Sequence, residues 1–382
     1  MENKHQSYDL AQMQSLPLDV KIRMTERRIR EWYEEFDGDV YVSVSGGKDS
    51  QVLAHIVKKL YPDVPCVFVN TGLEYDSVRL KGDELADEIL IPEMNFVQVI
   101  TKYGYPVISK EVAQTLYECQ NRKIKGLDEP TYRMEKLNGT LIDKNTGKLS
   151  SYNIPQYKYL LDAPFRISHK CCDVMKKKPC KVYEKYTGYK PFIGTLASES
   201  RLRKQKWTKY GCNAFEQSRP TSQPLSFWTE QDILQYIKAN ELQIADVYGS
   251  IGYTDDDGMI YDNDLFNKSM KLQTTGVDRT GCVFCMFGIK QDTEKFLRLK
   301  ELEPKKYDYV MRGGRFFYTV LDKNKAEIKL NHCKRESIVN WCEKNMDNPN
   351  FNVIKMWQPY KGLGYKFVID WLNEHGGLNI RY

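Results

Sequence analysis

The chain contains 382 residues, 41% of them hydrophobic and 28% charged, and its 57 basic and 51 acidic side chains leave a formal net charge of +6. This composition excludes a disordered or fibrous protein, and no apolar run approaches the roughly 20 residues that a membrane-spanning helix needs. Because the first residues lack a signal-peptide pattern, we expect a cytoplasmic protein whose ten cysteines serve metal binding or thiol chemistry and not disulfides.

The amino-terminal third predicts strands that alternate with helices. Val40, Val42 and Val44 occupy every second position, as in a strand, and the apolar residues that follow recur at helical spacing. Such alternation indicates an α/β protein with a doubly wound, mainly parallel sheet whose crossovers are helices. The predicted elements are a helix over 18–36, a strand over 40–44, a helix that includes 52–60, a strand over 65–69, a helix over about 75–90, a strand over 96–100 and a helix from Ser109.

The rest of the chain is less regular, and turn sequences interrupt its apolar patterns. The predicted features are a polar insertion over about 121–165, a basic helix over 174–187, a strand over 191–196, a capped helix from Thr229 to about Lys238, a loop-rich segment over 246–280 that contains Asp255–Asp257, and mainly helical structure from 291 with an aromatic break near 313–320. We divide the chain into a helical segment (1–36), an α/β domain (37–245), a loop-rich segment (246–310) and a carboxyl-terminal region of unassigned role (311–382).

One loop, between the first predicted strand and its helix, carries the strongest local signal. It consists of Ser45, Gly46, Gly47, Lys48, Asp49 and Ser50. Glycines let a backbone approach an anion closely, and the start of a helix offers free N–H groups and a positive dipole end. The hydroxyls add hydrogen-bond donors, the lysine adds a cation, and the aspartate is a ligand type that suits Mg²⁺. The sequence therefore predicts a phosphate site, with a simple tight turn as the alternative.

This loop differs from the GxxxxGK[ST] loop of kinases and matches the Ser-Gly-Gly-x-Asp-Ser signature of the PP-loop ATP pyrophosphatase superfamily. The resemblance implies an adenine nucleotide alpha hydrolase-like fold that binds ATP or an adenylyl-sulfate nucleotide at the loop. In the hydrolysing branch, ATP is split between its α and β phosphates with Mg²⁺, and a substrate is adenylated. Lys48 and Asp49 would then be catalytic.

Three later segments resemble the adenylyl-sulfate and phosphoadenylyl-sulfate reductase branch of that superfamily. Residues 69–75 resemble its Asp-Thr-Gly segment, with asparagine in place of the acid; residues 194–201 resemble its arginine-containing nucleotide segment; and residues 224–233 are similar to its Pro-Leu-x-x-Trp-Thr-x-x-Asp-Ile segment. A solvated basic turn is the alternative for the second segment. The resemblance implies nucleotide contacts by Asn70, Thr71, Gly72, Glu199, Ser200, Arg201 and Arg203, with Arg201 also catalytic.

Four cysteines form a second constellation. Cys171 and Cys172 are adjacent, and Cys282 and Cys285 form a Cys-x-x-Cys pair, so together they offer enough soft ligands for zinc or for a [4Fe–4S] cluster. The spacing does not choose between the metals, and unligated redox thiols are a third alternative. The segment that begins at Cys171 resembles the Cys-Cys-x-x-x-Lys-x-x-Pro stretch of iron–sulfur adenylyl-sulfate reductases, which implies the cluster, with zinc as the second candidate.

The resemblance leaves three functions open. The first is an iron–sulfur enzyme that binds ATP and Mg²⁺, releases pyrophosphate and supports sulfur transfer, with a sulfur-donor protein and a nucleic acid (DNA or tRNA) as candidate partners. The second is a reductase that releases sulfite, although residues 374–382 lack the cysteine that these reductases use, so that Cys180 or a partner thiol would replace it. The third is a non-catalytic nucleotide-sensing subunit. Basic residues of the insertion suit either a phosphate backbone or a solvated surface: Arg122, Lys123, Lys125, Arg133 and Lys136.

Overall fold

The computed structural model describes residues 3–124, 127–128, 130–254, 260–261, 271–321, 327–329, 336–346, 348 and 352–382. The helices of this part are α1 (Ser7–Gln14), α2 (Leu18–Glu35), α3 (Lys48–Leu60), α4 (Asp76–Leu85), α5 (Phe96–Tyr103), α6 (Lys110–Ile124), α7 (Thr131–Asn138), α8 (Lys178–Thr187), α9 (Arg201–Tyr210), α10 (Glu230–Ala239), α11 (Lys295–Leu302), α12 (Pro304–Met311), α13 (Glu336–Lys344) and α14 (Tyr365–Gly376). None of them combines the length and the apolar composition needed to cross a lipid bilayer.

The strands are short, and most belong to small sheets. They are β1 (Val40–Val44), β2 (Cys66–Val69), β3 (Glu88–Leu90), β4 (Val107–Ile108), β5 (Lys190–Ile193), β6 (Asn213–Ala214), β7 (Thr221–Ser222), β8 (Ile251–Thr254), β9 (Ile260–Tyr261), β10 (Lys271–Thr274), β11 (Met286–Phe287), β12 (Arg315–Leu321), β13 (Glu327–Lys329) and β14 (Asn352–Gln358).

The chain divides into two compact units, each built from two separate stretches. The first unit consists of Met1–Glu93 and Lys176–Val283, and the second consists of Met94–Met175 and Phe284–Tyr382. These bounds differ from the four segments that composition and sequence patterns suggested, and that division remains a prediction.

A six-stranded sheet forms the centre of the first unit. Its strand order is β3-β2-β1-β5-β7-β6, and only the β6–β7 pair is antiparallel. The predicted α/β class with a mainly parallel sheet is therefore confirmed. β1 lies between β2 and β5, with Val42 in register with Cys66 on one side and Phe192 on the other. Because both edges of β1 are paired and its faces are covered, its valine-rich sequence is nearly all buried.

Most elements predicted for the first unit are confirmed, and two segments are corrected. The helix predicted over about 75–90 ends at Leu85, and strand β3 follows it at Glu88–Leu90. Thr229 caps α10 as expected, its hydroxyl accepting the N–H of Asp232 at 3.3 Å. The segment 246–280, predicted as loop-rich, instead contains the antiparallel sheet β10-β8-β9. Asp255–Asp257 lie outside the described residues.

The second unit contains the parallel pair β4–β11 and the antiparallel sheet β13-β12-β14. Two predictions fail here. Residues 96–100 form helix α5 and not a strand, and the region after 311, predicted as mainly helical, contains a three-stranded sheet. The predicted insertion 121–165 contains helix α7. The aromatic break near 313–320 is the strand β12, paired along its whole length with β14.

Candidate functional site

The loop after β1 turns sharply because Gly46 has a left-handed backbone conformation. Its φ is +72°, and a Cβ placed there would lie 1.9 Å from the Val78 carbonyl oxygen and 2.9 Å from the Gly82 nitrogen of α4. Only glycine satisfies both the backbone angle and this close packing. Gly46 therefore allows the chain to turn tightly against α4.

The hydroxyl groups of the loop fix its shape. The Ser45 N–H donates to the Ser50 hydroxyl at 3.1 Å, and that hydroxyl donates to the Gly47 carbonyl at 2.9 Å. Gly47 is the residue before the first turn of α3, and the Lys48 N–H at that turn donates to the Tyr248 hydroxyl at 3.3 Å. The loop thus presents the beginning of a 13-residue helix, where free N–H groups and the helix dipole favour an anion.

A cavity of about 370 Å³ opens at this helix start. It combines residues from the loop, from the turn after β5, from the start of α9 and the residues before it, and from the segments before β8 and after β10. The residues that line it are Ser45, Gly47, Lys48, Asp49, Ser50, Gly194, Thr195, Glu199, Arg203, Tyr248, Arg279, Thr280 and Gly281. The predicted phosphate loop and part of the predicted arginine segment therefore meet in one place.

Lys48 is almost fully buried, and its ammonium group points to two oxygens. It lies 2.9 Å from a carboxylate oxygen of Glu230 and donates to the Asp278 carbonyl at 2.9 Å. Burial disfavours the charged form, but the nearby Asp49, Tyr248 and Glu230 outweigh it and raise the pKa of Lys48. The side chain is therefore protonated and committed to these partners.

Asp49 brings a carboxylate to the cavity, and burial, the largest influence, raises its pKa against the lowering effect of Lys48. Its Oδ1 atom is buried and has no hydrogen-bond partner among the described residues. The Lys48 ammonium lies 3.8 Å from this oxygen, too far for a hydrogen bond. A carboxylate oxygen without a hydrogen bond beside a phosphate-sized cavity fits Mg²⁺, which binds proteins through one or two carboxylates together with substrate phosphates. The residues present therefore suit a Mg–nucleotide complex.

Two groups of predicted contacts lie outside this cavity lining. Thr71 donates to Glu74 at 2.7 Å, and the Asn70 side chain accepts the Gly72 N–H at 3.2 Å, so these residues shape the turn after β2. Ser200 caps α9, since its hydroxyl accepts the Arg203 N–H at 3.3 Å. Arg201, the first residue of α9, is exposed and does not line the cavity.

Sequence reasoning missed the contributions of Tyr248, Arg279 and Thr280, all from the segment predicted as loop-rich. The Tyr248 and Thr280 hydroxyls lie 2.7 Å apart, and both border the cavity. A signal was present in the consecutive residues 278–281, which place a charged pair, a hydroxyl and a glycine directly before Cys282. Their separation in sequence from the loop at 45–50 gave no indication that they lie beside it in the fold.

The four candidate metal ligands are divided between the units: Cys282 belongs to the first, and Cys171, Cys172 and Cys285 belong to the second. Cys171 is buried, and the other three are half-buried. Within the part of the chain that the structure describes, no group of three or more His, Cys, Asp or Glu side chains is placed to hold a metal ion. The structure therefore lends the cluster no support, and the cluster remains a prediction from resemblance.

Cys180, the alternative sulfur carrier, is buried at the start of α8. Burial raises the pKa of this thiol, and the lowering effect of Arg219 does not offset it. A thiol is a weak nucleophile until it is deprotonated. The environment of Cys180 thus favours a packing role.

The basic residues of the insertion are engaged within the second unit. Arg133 lies 2.8 Å from Glu118, Lys136 lies 2.6 Å from Glu111, and Lys123 lies 3.0 Å from Asp162. Lys125 lies outside the described residues. Because these three charges are already paired, the geometry favours the solvated surface over a phosphate-binding one.

Comparison with known proteins identifies a family match over much of the chain. The model of the phosphoadenosine phosphosulfate reductase domain matches residues 39–142 and 128–286, more than half of the sequence. Adenosine 5′-phosphosulfate reductase of Staphylococcus epidermidis is 28% identical over 109 residues, which cover 26% of this chain and 44% of the relative. The chain thus spans less than half the length of that relative.

A second relative extends over a longer stretch. Sulfate adenylyltransferase subunit 2 of Mycolicibacterium gilvum is 25% identical over 272 residues, 67% of this chain and 76% of the relative. Among solved structures, phosphoadenylyl-sulfate reductase of Candida auris matches 64% of this chain and 98% of its own at 15% identity, with a TM-score of 0.33. A TM-score this low does not establish a common fold, so the fold assignment rests on the sheet order itself.

Proposed function

Because the chain belongs to the phosphoadenosine phosphosulfate reductase domain family, we propose that it is an enzyme that binds an adenine nucleotide in the cavity at the start of α3 and acts at its α-phosphate. The preferred substrate is ATP with Mg²⁺. An acceptor substrate, or water in its absence, attacks the α-phosphate and takes the adenylyl group, the bond to the β-phosphate breaks, and pyrophosphate leaves. The observation that carries this proposal is the convergence of a glycine loop, a helix start and three basic side chains on one cavity.

The charges in the cavity favour a nucleotide that arrives with a metal. Three basic side chains line it, but so do the carboxylates of Asp49 and Glu199, while Glu230 pairs with Lys48. A bare polyphosphate would place its oxygens against these carboxylates. Mg²⁺ would be held by Asp49 and the nucleotide phosphates, and it would supply Lewis-acid stabilisation of the charge on the departing pyrophosphate.

The remaining catalytic contribution is positioning by the chain itself. The Ser45 and Ser50 hydroxyls hold the loop, and the N–H groups of Asp49 and Ser50 in the first turn of α3 are placed to bind phosphate oxygens at the helix start. The guanidinium group of Arg279 lines the same space and suits planar, paired contacts with phosphate oxygens, while Arg203, which pairs with Glu199, adds positive charge. These groups stabilise charge that grows as the α–β bond breaks.

The experiment compares three nucleotides with the full-length protein. Turnover of ATP, adenylyl sulfate and phosphoadenylyl sulfate is followed by pyrophosphate and by sulfite. We expect pyrophosphate from Mg–ATP, and Asp49→Asn should lower that rate by about 100-fold or more because metal stabilisation is worth several kcal/mol. The matched control is Asp63→Asn, an exposed aspartate of the same unit, which should leave the rate unchanged. Turnover that survives Asp49→Asn would contradict the proposed site.

A second candidate is reduction of a sulfonucleotide in the same cavity. It is favoured by the relative named adenosine 5′-phosphosulfate reductase, whereas the relative named sulfate adenylyltransferase favours chemistry at the α-phosphate of ATP. Sulfite from adenylyl sulfate without pyrophosphate from ATP would select the reductase. Binding of ATP with neither product would select the non-catalytic, nucleotide-sensing function.

The cofactor and acceptor remain predictions from the resemblance. Iron and zinc analysis of anaerobically purified protein decides between a cluster, at ~4 iron atoms per chain, and a single zinc. Neither of the curated relatives described above is named for an action on nucleic acid. Sulfur transfer to DNA or tRNA therefore has no support beyond the resemblance.

A further inference from the structure

The three basic side chains that line the cavity differ in what they already bind. Lys48 is 5% exposed and pairs with Glu230 at 2.9 Å. Arg203, on the first turn of α9, pairs with Glu199, which precedes that helix. Arg279 is exposed, and within the described part of the chain it forms neither a hydrogen bond nor an ion pair. The charge of Arg279 also acts on the Asp49 carboxylate, but no ion pair among the described residues holds its guanidinium group, so of these three cations it is the one free to turn to a ligand.

We propose that Arg279 is the cation that binds the nucleotide phosphates, and that Lys48 is a positioning residue that holds the Arg279 segment at the cavity. This inference rests on the proposed function and deepens it, since it assigns the phosphate contact to a segment 230 residues beyond the glycine loop. Glu230 takes part by keeping the Lys48 ammonium in its structural position.

The backbone on both sides of Arg279 is anchored. Before it, the Asp278 carbonyl accepts a hydrogen bond from Lys48 at 2.9 Å. After it, the Thr280 hydroxyl lies 2.7 Å from the Tyr248 hydroxyl, which itself accepts the Lys48 N–H. The segment is thus tied to the first residue of α3 through both the side chain and the main chain of Lys48. With its backbone held, Arg279 needs to order only its side chain when it binds a ligand.

The position of Lys48 argues against a direct phosphate contact. Two of the three N–H donors of the Lys48 ammonium already bind Glu230 and the Asp278 carbonyl, so a move of the ammonium toward a ligand would stretch both charge-assisted hydrogen bonds. An arginine offers a planar fork that binds two phosphate oxygens at once, whereas a lysine offers a single point charge. Arg279 needs to break no such partner before it binds.

Glu230→Gln distinguishes two roles of Lys48, phosphate ligand and positioning residue, because the two roles predict opposite changes in ATP affinity. If Lys48 were a phosphate ligand held back by Glu230, removing the carboxylate charge would free the ammonium and tighten ATP binding. If Lys48 is a positioning residue, the same substitution loosens the Arg279 segment and weakens ATP binding. Titration calorimetry with Mg–ATP, on protein whose circular dichroism matches the unaltered chain, should show binding about 3- to 10-fold weaker. Tighter binding would overturn the assignment.

A second measurement tests Arg279 itself. Arg279→Gln should weaken Mg–ATP binding about 10- to 100-fold, as expected for loss of a charge-assisted contact. Arg23→Gln, an exposed arginine of α2, is the matched control and should bind as the unaltered protein does. If Lys48 acts through Arg279, adding Lys48→Gln to Arg279→Gln should cost much less than Lys48→Gln alone.

The outcomes keep this inference separate from the proposed function. Equal binding by Arg279→Gln and the unaltered protein, or fully additive losses in the double variant, would overturn the inference while the nucleotide site stands. Failure of the unaltered protein to bind Mg–ATP, adenylyl sulfate or phosphoadenylyl sulfate would overturn the proposed function and this inference together.

Discussion

Gly46 shows how one residue joins a backbone requirement to a packing requirement. Its left-handed φ of +72° sets the turn after β1, and α4 lies so close that an added Cβ would overlap the Val78 carbonyl at 1.9 Å. Gly188, at the end of α8, has a similar φ of +84° but has nothing within 4 Å of the added Cβ. Substitutions at the two glycines therefore separate the free-energy cost of the backbone angle from the free-energy cost of crowding against α4.

We expect Gly46→Ala to destabilise the protein much more than Gly188→Ala. A left-handed angle costs a non-glycine residue about 1–2 kcal/mol, which is the whole expected loss at Gly188. At Gly46 the backbone of α4 must also move, so the loss should reach about 4 kcal/mol or more. Urea unfolding of the two variants gives the comparison. Equal losses of stability would mean that α4 moves at little cost and that its packing does not hold the loop in place.

Among the elements, α2 and α10 are joined by a buried ion pair. Lys21 is 2% exposed, and its ammonium lies within 2.8 Å of both carboxylate oxygens of Asp232 and donates to the Gln14 carbonyl. The same carboxylate accepts the Thr229 N–H at 2.7 Å at the start of α10. This pair consequently fixes the helix start that carries Glu230, the partner of Lys48.

Lys21→Met should destabilise the first unit by about 3–5 kcal/mol, because it leaves the Asp232 charge buried without its partner. The exposed pair of Arg23 and Asp19 on the same helix is the control, and Arg23→Ala should cost no more than about 0.5 kcal/mol. Urea unfolding measures both variants. A loss of less than 1 kcal/mol for Lys21→Met would show that water or another cation reaches Asp232.

The elements also show which structure the sequence can predict. β1 was predictable because its alternating valines lie at the centre of the sheet, where burial and β propensity agree. Residues 96–100 have an equally apolar pattern but form α5, since Asn95 and Gln98 exchange side-chain and backbone hydrogen bonds as a helix cap. Periodicity alone does not separate a short buried strand from a short helix. The helix cap formed by Asn95 and Gln98 is the sequence signal that the strand prediction missed.

The site was predictable to the extent that it is local. The loop from Ser45 to Ser50 is contiguous, so its glycines, hydroxyls and charges could be recognised together. Tyr248 and Arg279 reach the same cavity from the segment around the small sheet of β8, β9 and β10. Their place depends on tertiary packing, which no sequence spacing encodes.

In the second unit, residues of α14 complete a core that begins far earlier in the chain. Tyr365 of α14 is fully buried, its ring lies 5.5 Å from that of Tyr105, and its hydroxyl donates to the Phe284 carbonyl at 2.6 Å. The Tyr105 hydroxyl in turn donates to the Leu363 carbonyl at 2.8 Å. The stretches 94–175 and 284–382 thus share interior contacts within the second unit.

This shared interior makes Tyr365→Ala a test of how the chain is divided. Removing a fully buried aromatic ring costs about 3–5 kcal/mol. If the second unit unfolds cooperatively, the loss should appear as faster amide hydrogen exchange in both of its stretches, 94–175 as well as 284–382. Exchange in β1 and β2 of the first unit should change little. Leu302→Ala, at a position that is 48% exposed in the same unit, controls for the substitution itself. Faster exchange confined to residues after 311 would instead favour a separate carboxyl-terminal region, as composition and sequence patterns first suggested.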